Sequence, residues 1–442
     1  MRPLKSLTFE SVVGKLSASF LKIGDGRALA KVKYSLHDVL MSGFAIMFFQ
    51  HPSLLQFQER MKKKRDRCNL ETLFRVKSVP SDTQMREILD DVAPESLRQL
   101  LPELFEKVRR AGWADQFKTS LPSGKDKGSY FTIVLDGMEY FHSTKVECPR
   151  CLRKVDKKSG QTDFSHCIVG GTLVKAGSHR ILPLDVEEVR NTDGQEKQDC
   201  ELNAGKRLIT RVRQEHPQLS LIVLGDDLYS HEPYVEMLIE KRLHFVLVAK
   251  PESHKELFEW VEKLDRNGEC VKGKWEKGDG RALRRFEYRI ADIVPLKADG
   301  KVGVNFVEVW ERDRNGKLLY HNSWVTDLDV DSENVEVIVR IGRSRWKIEN
   351  EQFNTQKNHG YELEHNYGHG KNNLSMVFYL LNLLAFVTHL ILEFGDRLYQ
   401  KCREQETLRE TWNILRTMMR AILFENWKAM LLHFLDQEEA SP

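Results

Sequence analysis

The feature that constrains this chain most is a pair of apolar runs that each lead into acid. "YFTIVLDGMEYF" (130–141) and "LSLIVLGDDLY" (219–229) are both rich in strand-forming residues. Short apolar runs without alternation read as strands buried on both faces. The first strand is expected to end near Asp136 and the second at Asp226. Open α/β sheets carry their functional groups at the carboxyl ends of such strands. The chain is thereby directed to an α/β fold, with two carboxylates on one rim of its sheet.

The flanking pattern fills in that sheet. "SHCIVGGTLVKAG" and "HRILPLDVEEV" predict two further strands, joined by a turn around Gly177. A helix is expected over about 195–215, then a helix at "EPYVEMLIEKR" and a strand at "HFVLVAK". Three strands followed by strand–helix alternation indicate a mixed sheet with helices packed on it. From 266 to 330 the alternating segments "RRFEYRIADI", "VNFVEVWERD" and "KLLYHNSWVTDL" predict a β-rich insertion. Its last two strands are joined by Asn315-Gly316, a strong hairpin signal. "DSENVEVIVRIGRSRWKIENEQF" then returns to helical spacing, with Asp331 or Ser332 available as N-cap. The expected organisation is a helical N-terminal region (1–120), a sheet domain (128–265), the insertion (266–330), a helix belonging to the sheet domain (331–375) and a helical C-terminal region (376–442).

Composition narrows the setting. The 442 residues carry 68 basic and 65 acidic side chains, a net charge of +3, so affinity for a polyanion must come from local patches. One such patch is "RMKKKRDR" (60–67), which reads either as a solvated helix end or as a phosphate contact. The most apolar run, 376–394, approaches membrane-spanning length, but Asn382, Thr388 and His389 interrupt it and no second run accompanies it. A buried helix is expected there, with no membrane partner. Seven cysteines without a secretion signal point to a reducing, cytoplasmic compartment.

Two neighbouring carboxylates repel unless a cation relieves them, and hard Mg²⁺ or Mn²⁺ prefers oxygen ligands. A two-metal site would activate a water or a 3′-hydroxyl and stabilise the leaving oxygen of a phosphodiester. "RWKIENEQF" offers the third acid, Glu349, on a predicted helix where Gly342, Trp346, Glu349 and Phe353 share one face. Arg345, one turn earlier, would orient Glu349 or hold a phosphate, and Arg343 and Lys347 are placed to bind backbone phosphates. Taken singly, each Asp reads equally as a turn cap and Glu349 as a member of a surface ion pair.

The segments "IVLDG", "VLGDDLY" and "RWKIENEQF", followed by "KNHGYELEHNYGHGKNN", resemble a bacterial insertion-sequence transposase of the DDE class. The resemblance covers roughly 130–375 and points to the group with a Tyr-Arg-Glu-Lys signature and a β-insertion before the last acid. It implies a ribonuclease-H-like fold in which Asp136, Asp226 and Glu349 hold Mg²⁺ or Mn²⁺ and Arg345 is the signature arginine. It also implies cleavage of transposon-end DNA, joining of the 3′-hydroxyl to target DNA, a homodimer on DNA and association with the nucleoid. Trp346 would stack on a displaced base or, alternatively, belong to the core. The signature tyrosine falls on Gly342 and the lysine on Gln356, with Lys357 beside it. Glu351 competes with Glu349, and Asp227 with Asp226. A metal-dependent nuclease without strand transfer and a DNA-binding relic with an inactive triad are the alternative readings.

A second motif is independent of the first. "ECPRC" sets Cys148 and Cys151 at metal-ligand spacing, and "FSHC" adds His166 and Cys167 across the loop between two strands. These four define a candidate structural Zn²⁺ knuckle, with a reduced thiol pair as the alternative. His365 and His369 fall in a glycine-containing stretch that reads as a turn, outside the catalytic set.

Overall fold

The computed structural model describes residues 7–28, 32–51, 54, 64–191, 200–298, 300–365 and 367–439. It shows a mixed α/β protein built on an eleven-stranded open sheet flanked by helices. The strands are β1 (Lys118–Leu121), β2 (Gly128–Ser143), β3 (Leu152–Val155), β4 (Thr162–Val174), β5 (Ile181–Val189), β6 (Leu221–Gly225), β7 (His244–Val248), β8 (Val271–Lys277), β9 (Arg284–Pro295), β10 (Gly303–Asp313) and β11 (Leu318–Thr326). Their order is β3-β4-β2-β6-β7-β11-β10-β9-β8, with β1 on β2 and β5 on β4.

The centre of the sheet follows from the apolar runs. β6 is buried along its whole length, as a strand covered by helices on both faces must be. It pairs parallel with β2 and with β7, whereas β2, β4 and β5 form an antiparallel meander. β2 does not stop near Asp136, as the sequence led us to expect; it runs on to Ser143. Only its parallel ladder with β6 ends, at Val134–Leu224, while antiparallel pairing with β4 continues to Ser143.

The insertion is β-rich as expected, but it is no separate body. β11 pairs antiparallel with β7, so the four inserted strands extend the main sheet. The Asn315-Gly316 turn joins β10 to β11, with Gly316 at φ 85°.

β5 is buried throughout although it carries Asp185, Glu187 and Glu188. Cations from two helices compensate Asp185 and Glu187. Arg98 and Arg211 each hold Asp185 at 2.8 Å, and Arg207 and Arg211 hold Glu187. Arg98 belongs to the N-terminal helices, so this network fastens them to the sheet.

The N- and C-terminal helical regions form one body. Phe9 stacks on Trp427 at 4.4 Å, and Phe48 meets Trp412 edge-on at 5.2 Å. The helix Leu374–Gly395 passes through them; it is long and apolar enough to cross a membrane, yet 94% of its most apolar window is buried in the fold. Asp90 caps it from the N-terminal region by accepting the backbone N–H groups of Lys371, Asn372, Asn373 and Leu374. Part of the basic run, 60–63, and the start of the helix expected from 195 lie outside the described residues.

Candidate functional site

Asp136 and Asp226 each sit two residues beyond the last paired position of β2 and β6, Val134 and Leu224. Neighbouring strands lie about 4.8 Å apart, so the two acids share one rim. Asp226 accepts the N–H of Leu228 at 3.0 Å and starts the turn after β6. Its neighbour Asp227 turns elsewhere, accepting the N–H of Lys250 at 2.7 Å and lying 3.7 Å from His254.

Glu349 arrives from the far end of the chain. Arg345 Nη1 lies 2.7 Å from Glu349 Oε1 and 3.5 Å from Asp136 Oδ2. One guanidinium nitrogen thus contacts both carboxylates, which brings Glu349 to the rim. Glu351 instead pairs with His179 at 3.0 Å.

The element carrying Glu349 is not the regular helix expected. Helix Val335–Arg343 tightens to a 3₁₀ turn at Ser344–Trp346, then widens to a π-turn at Ile348–Phe353. The expected common face is therefore broken: Gly342 and Phe353 are buried, while Trp346 and Glu349 are exposed. Such π-turns recur at functional sites because they re-aim side chains. Gly342, where the resemblance places a tyrosine, packs on Trp324, and a Cβ there would lie 2.5 Å from the indole nitrogen.

A fourth acid was not singled out from the sequence. Glu201, in the first turn of helix Glu201–Glu215, accepts the Tyr229 hydroxyl at 3.0 Å and lies against Gly137, where a Cβ would collide with it. An acid in a first helical turn reads as a partner of the helix dipole, so no pattern in the sequence marks it. Burial pushes the Asp136 carboxyl up to about 7; Arg345 opposes this, and Glu349, Glu201 and Asp226 add to it. Glu201 is also raised, by burial first. Asp136, Glu201 and Asp226 are half-buried and Glu349 is exposed, and no three of these acids bring oxygens within 4.8 Å of one another, so a hard cation would have to draw them together.

The other sequence candidates are placed differently. Trp346 is 41% exposed, which removes the core alternative. It lines a cleft of about 420 Å³ with Trp275, Phe286, Lys277, Arg340 and Arg343. Arg343 pairs with Glu311 at 2.7 Å and lies over Tyr320. Lys347 is buried, its ammonium donating to the Ser178 carbonyl. Lys357 pairs with Glu364 at 2.9 Å, and Gln356 is buried against Asn382 at 3.1 Å.

Among the described residues, two groups bring three or more ligand atoms within 4.8 Å of one another: Cys148, Cys151, His166 and His369, and separately Asp227, His231 and His254. Cys167 is not in the first group. It follows His166 on β4, and successive strand residues point to opposite faces, so His369 takes the expected fourth place.

No protein-family model matches the chain, and no curated protein matches it at a significant level.

Proposed function

We propose that this chain is a DDE-class DNA transposase that cleaves transposon ends and joins the freed 3′-hydroxyl to target DNA. The observation that carries the reading is that Asp136 and Glu349, far apart in sequence, share the Arg345 guanidinium on the rim where Asp226 follows the neighbouring strand β6. The β5-β4-β2-β6-β7 order, an antiparallel meander followed by parallel strands, supports a ribonuclease-H-like core.

Asp136, Asp226 and Glu349 would hold Mg²⁺ or Mn²⁺, which when bound supplies Lewis-acid activation of a phosphodiester and its attacking hydroxyl. Arg345 neutralises the acids and is placed to turn to a phosphate oxygen when they take a cation. Glu201, hydrogen-bonded to Tyr229, adds negative charge behind Asp136 and keeps the rim selective for cations. Trp346 offers an exposed face for stacking a displaced base, and Lys277 and Arg340 in the same cleft would neutralise the strand beside it. Two protomers on paired DNA ends would exclude water from the reacting strand.

The test is incubation with Mn²⁺ and linear DNA carrying the inverted repeats that flank the coding sequence. Cleavage at the ends with joined products supports the proposal. Cleavage without joining indicates a nuclease, and a mobility shift without cleavage a DNA-binding relic. Asp136→Ala should abolish cleavage and preserve binding; full cleavage by that variant would exclude this site.

A further inference from the structure

The four side chains Cys148, Cys151, His166 and His369 come from three places in the chain. The cysteines form the turn between β2 and β3, with Cys151 N–H donating to the Cys148 carbonyl at 3.1 Å and Cys148 N–H aimed at Cys151 Sγ at 3.4 Å. His166 stands on β4, and His369 lies between the Glu349 element and helix Leu374–Gly395. All four are buried.

Their ligand atoms form a small, closed figure. The two sulfurs are 3.8 Å apart, and each lies 3.5 Å from His166 Nε2. Cys151 Sγ is 3.4 Å from His369 Nε2, and the two Nε2 atoms are 3.1 Å apart. A tetrahedral zinc ion with its usual bond lengths would set these edges at about 3.8 Å for S–S, about 3.5 Å for S–N and about 3.3 Å for N–N. Hydrogen bonding alone does not explain the figure, because four small groups cannot each be suitable donor and acceptor to all the others.

The surroundings select the ligating atoms. His369 Nδ1 lies 3.1 Å from the Gly370 carbonyl, so it carries the proton and leaves Nε2 free. His166 Nδ1 faces Glu188 Oε1 at 3.8 Å, both atoms buried and otherwise unpartnered. A carboxylate behind a ligating histidine is the arrangement that fixes ring orientation in zinc sites. Arg150 and Arg190 hold the other oxygen of Glu188 at 3.1 and 3.2 Å.

We infer that the chain binds one structural Zn²⁺ through Cys148, Cys151, His166 and His369. Thiolate and imidazole donors suit zinc and not the hard cations expected at the acids. Four protein ligands in a buried, closed set leave no open position, so the ion is structural. It clips the outer end of the β2–β4 ladder to the segment that follows Glu349, fixing two of the three acid-bearing elements relative to each other. The inference does not depend on the transposase reading.

The full chain, purified without chelator, should contain one zinc per chain by elemental analysis. Cobalt loaded in its place should give the visible absorption of a tetrahedral thiolate site. Cys167→Ala should keep full zinc, whereas His369→Ala should lose its zinc to a competing chelator at least tenfold more readily. Wild-type protein that neither contains zinc nor takes up cobalt would overturn the inference whatever the variants do. A folded His369→Ala protein with unchanged zinc retention and cobalt spectrum would overturn it as well.

Discussion

Replacing Arg345 with Gln should tighten divalent-ion binding while impairing DNA cleavage. In the absence of an ion the guanidinium holds the place of a cation, 2.7 Å from Glu349 and 3.5 Å from Asp136. Two unit charges 4 Å apart near a protein surface interact by about 4 kcal/mol. A dication among the same carboxylates would be repelled by Arg345 with twice that charge at somewhat greater distance. Arg345 is a quarter exposed, and solvent and salt screen most of this, leaving on the order of 1.5–2 kcal/mol. Removing it should therefore strengthen Mn²⁺ binding by roughly tenfold to thirtyfold. The measurement is calorimetric or paramagnetic-resonance titration of Mn²⁺ into DNA-free protein, with Glu349→Gln, expected to bind more weakly, as the opposite control. Unchanged or weaker Mn²⁺ binding by Arg345→Gln would show that the guanidinium does not compete with a cation, and the metal assignment of the three acids would lose its basis.

Further consequences concern the frame around the rim. Gly342→Tyr, which restores the residue that the resemblance places there, drives a ring into Trp324 and should cost about 3 kcal/mol or more in urea unfolding, at or above the upper end of overpacking penalties; an unchanged midpoint would contradict the packing. Asp185→Ala strips one carboxylate from both Arg98 and Arg211 and should cost about 3 kcal/mol, the low end for a broken buried pair because both arginines keep other partners. Adding Arg98→Met should cost clearly less than the two single changes summed, and simple additivity would count against a shared network. Four backbone N–H groups hold the Asp90 carboxyl below its ordinary value against the effect of burial. Its charged form therefore contributes stability that is complete above the unfolded value near pH 4 and is lost as pH falls through the lower folded value. Unfolding midpoints of wild type and Asp90→Asn should differ by about 1–2 kcal/mol at pH 7 and converge toward pH 2; a constant gap would place the effect in shape and not in charge.

Strand content, the Asn315-Gly316 hairpin and the buried helix Leu374–Gly395 were legible because each rests on local pattern. Asp136 and Asp226 could be singled out because apolar runs lead into them, and Glu349 because it follows "RWKI". The irregular winding through residues 344–353 was not, since no local residue encodes it; along it Ile348 and Phe353 pack on Gly170 and Gln352 accepts from Thr172, contacts with a distant strand. His369 was hidden for a related reason. A histidine between two glycines carries no periodicity, and its partners lie more than two hundred residues earlier. The continuity of the insertion with the main sheet depends on the pairing of β11 with β7, a register that alternation alone does not specify.

Glu349 is therefore positioned mainly by residues that have no chemistry of their own. Gln352 and Phe353 seat its turn on β4, and Gln356 donates to Asn382, which in turn donates to the Tyr361 carbonyl. Asp90 caps the helix that carries Asn382. This also gives a physical reason why neither position suits the residue that the resemblance places there. A lysine at 356 would bury an unpaired ammonium beside Asn382, and a tyrosine at 342 would collide with Trp324. In this fold those two positions serve the frame, and the cations Lys277, Arg340 and Arg343 line the cleft beside Trp346 instead.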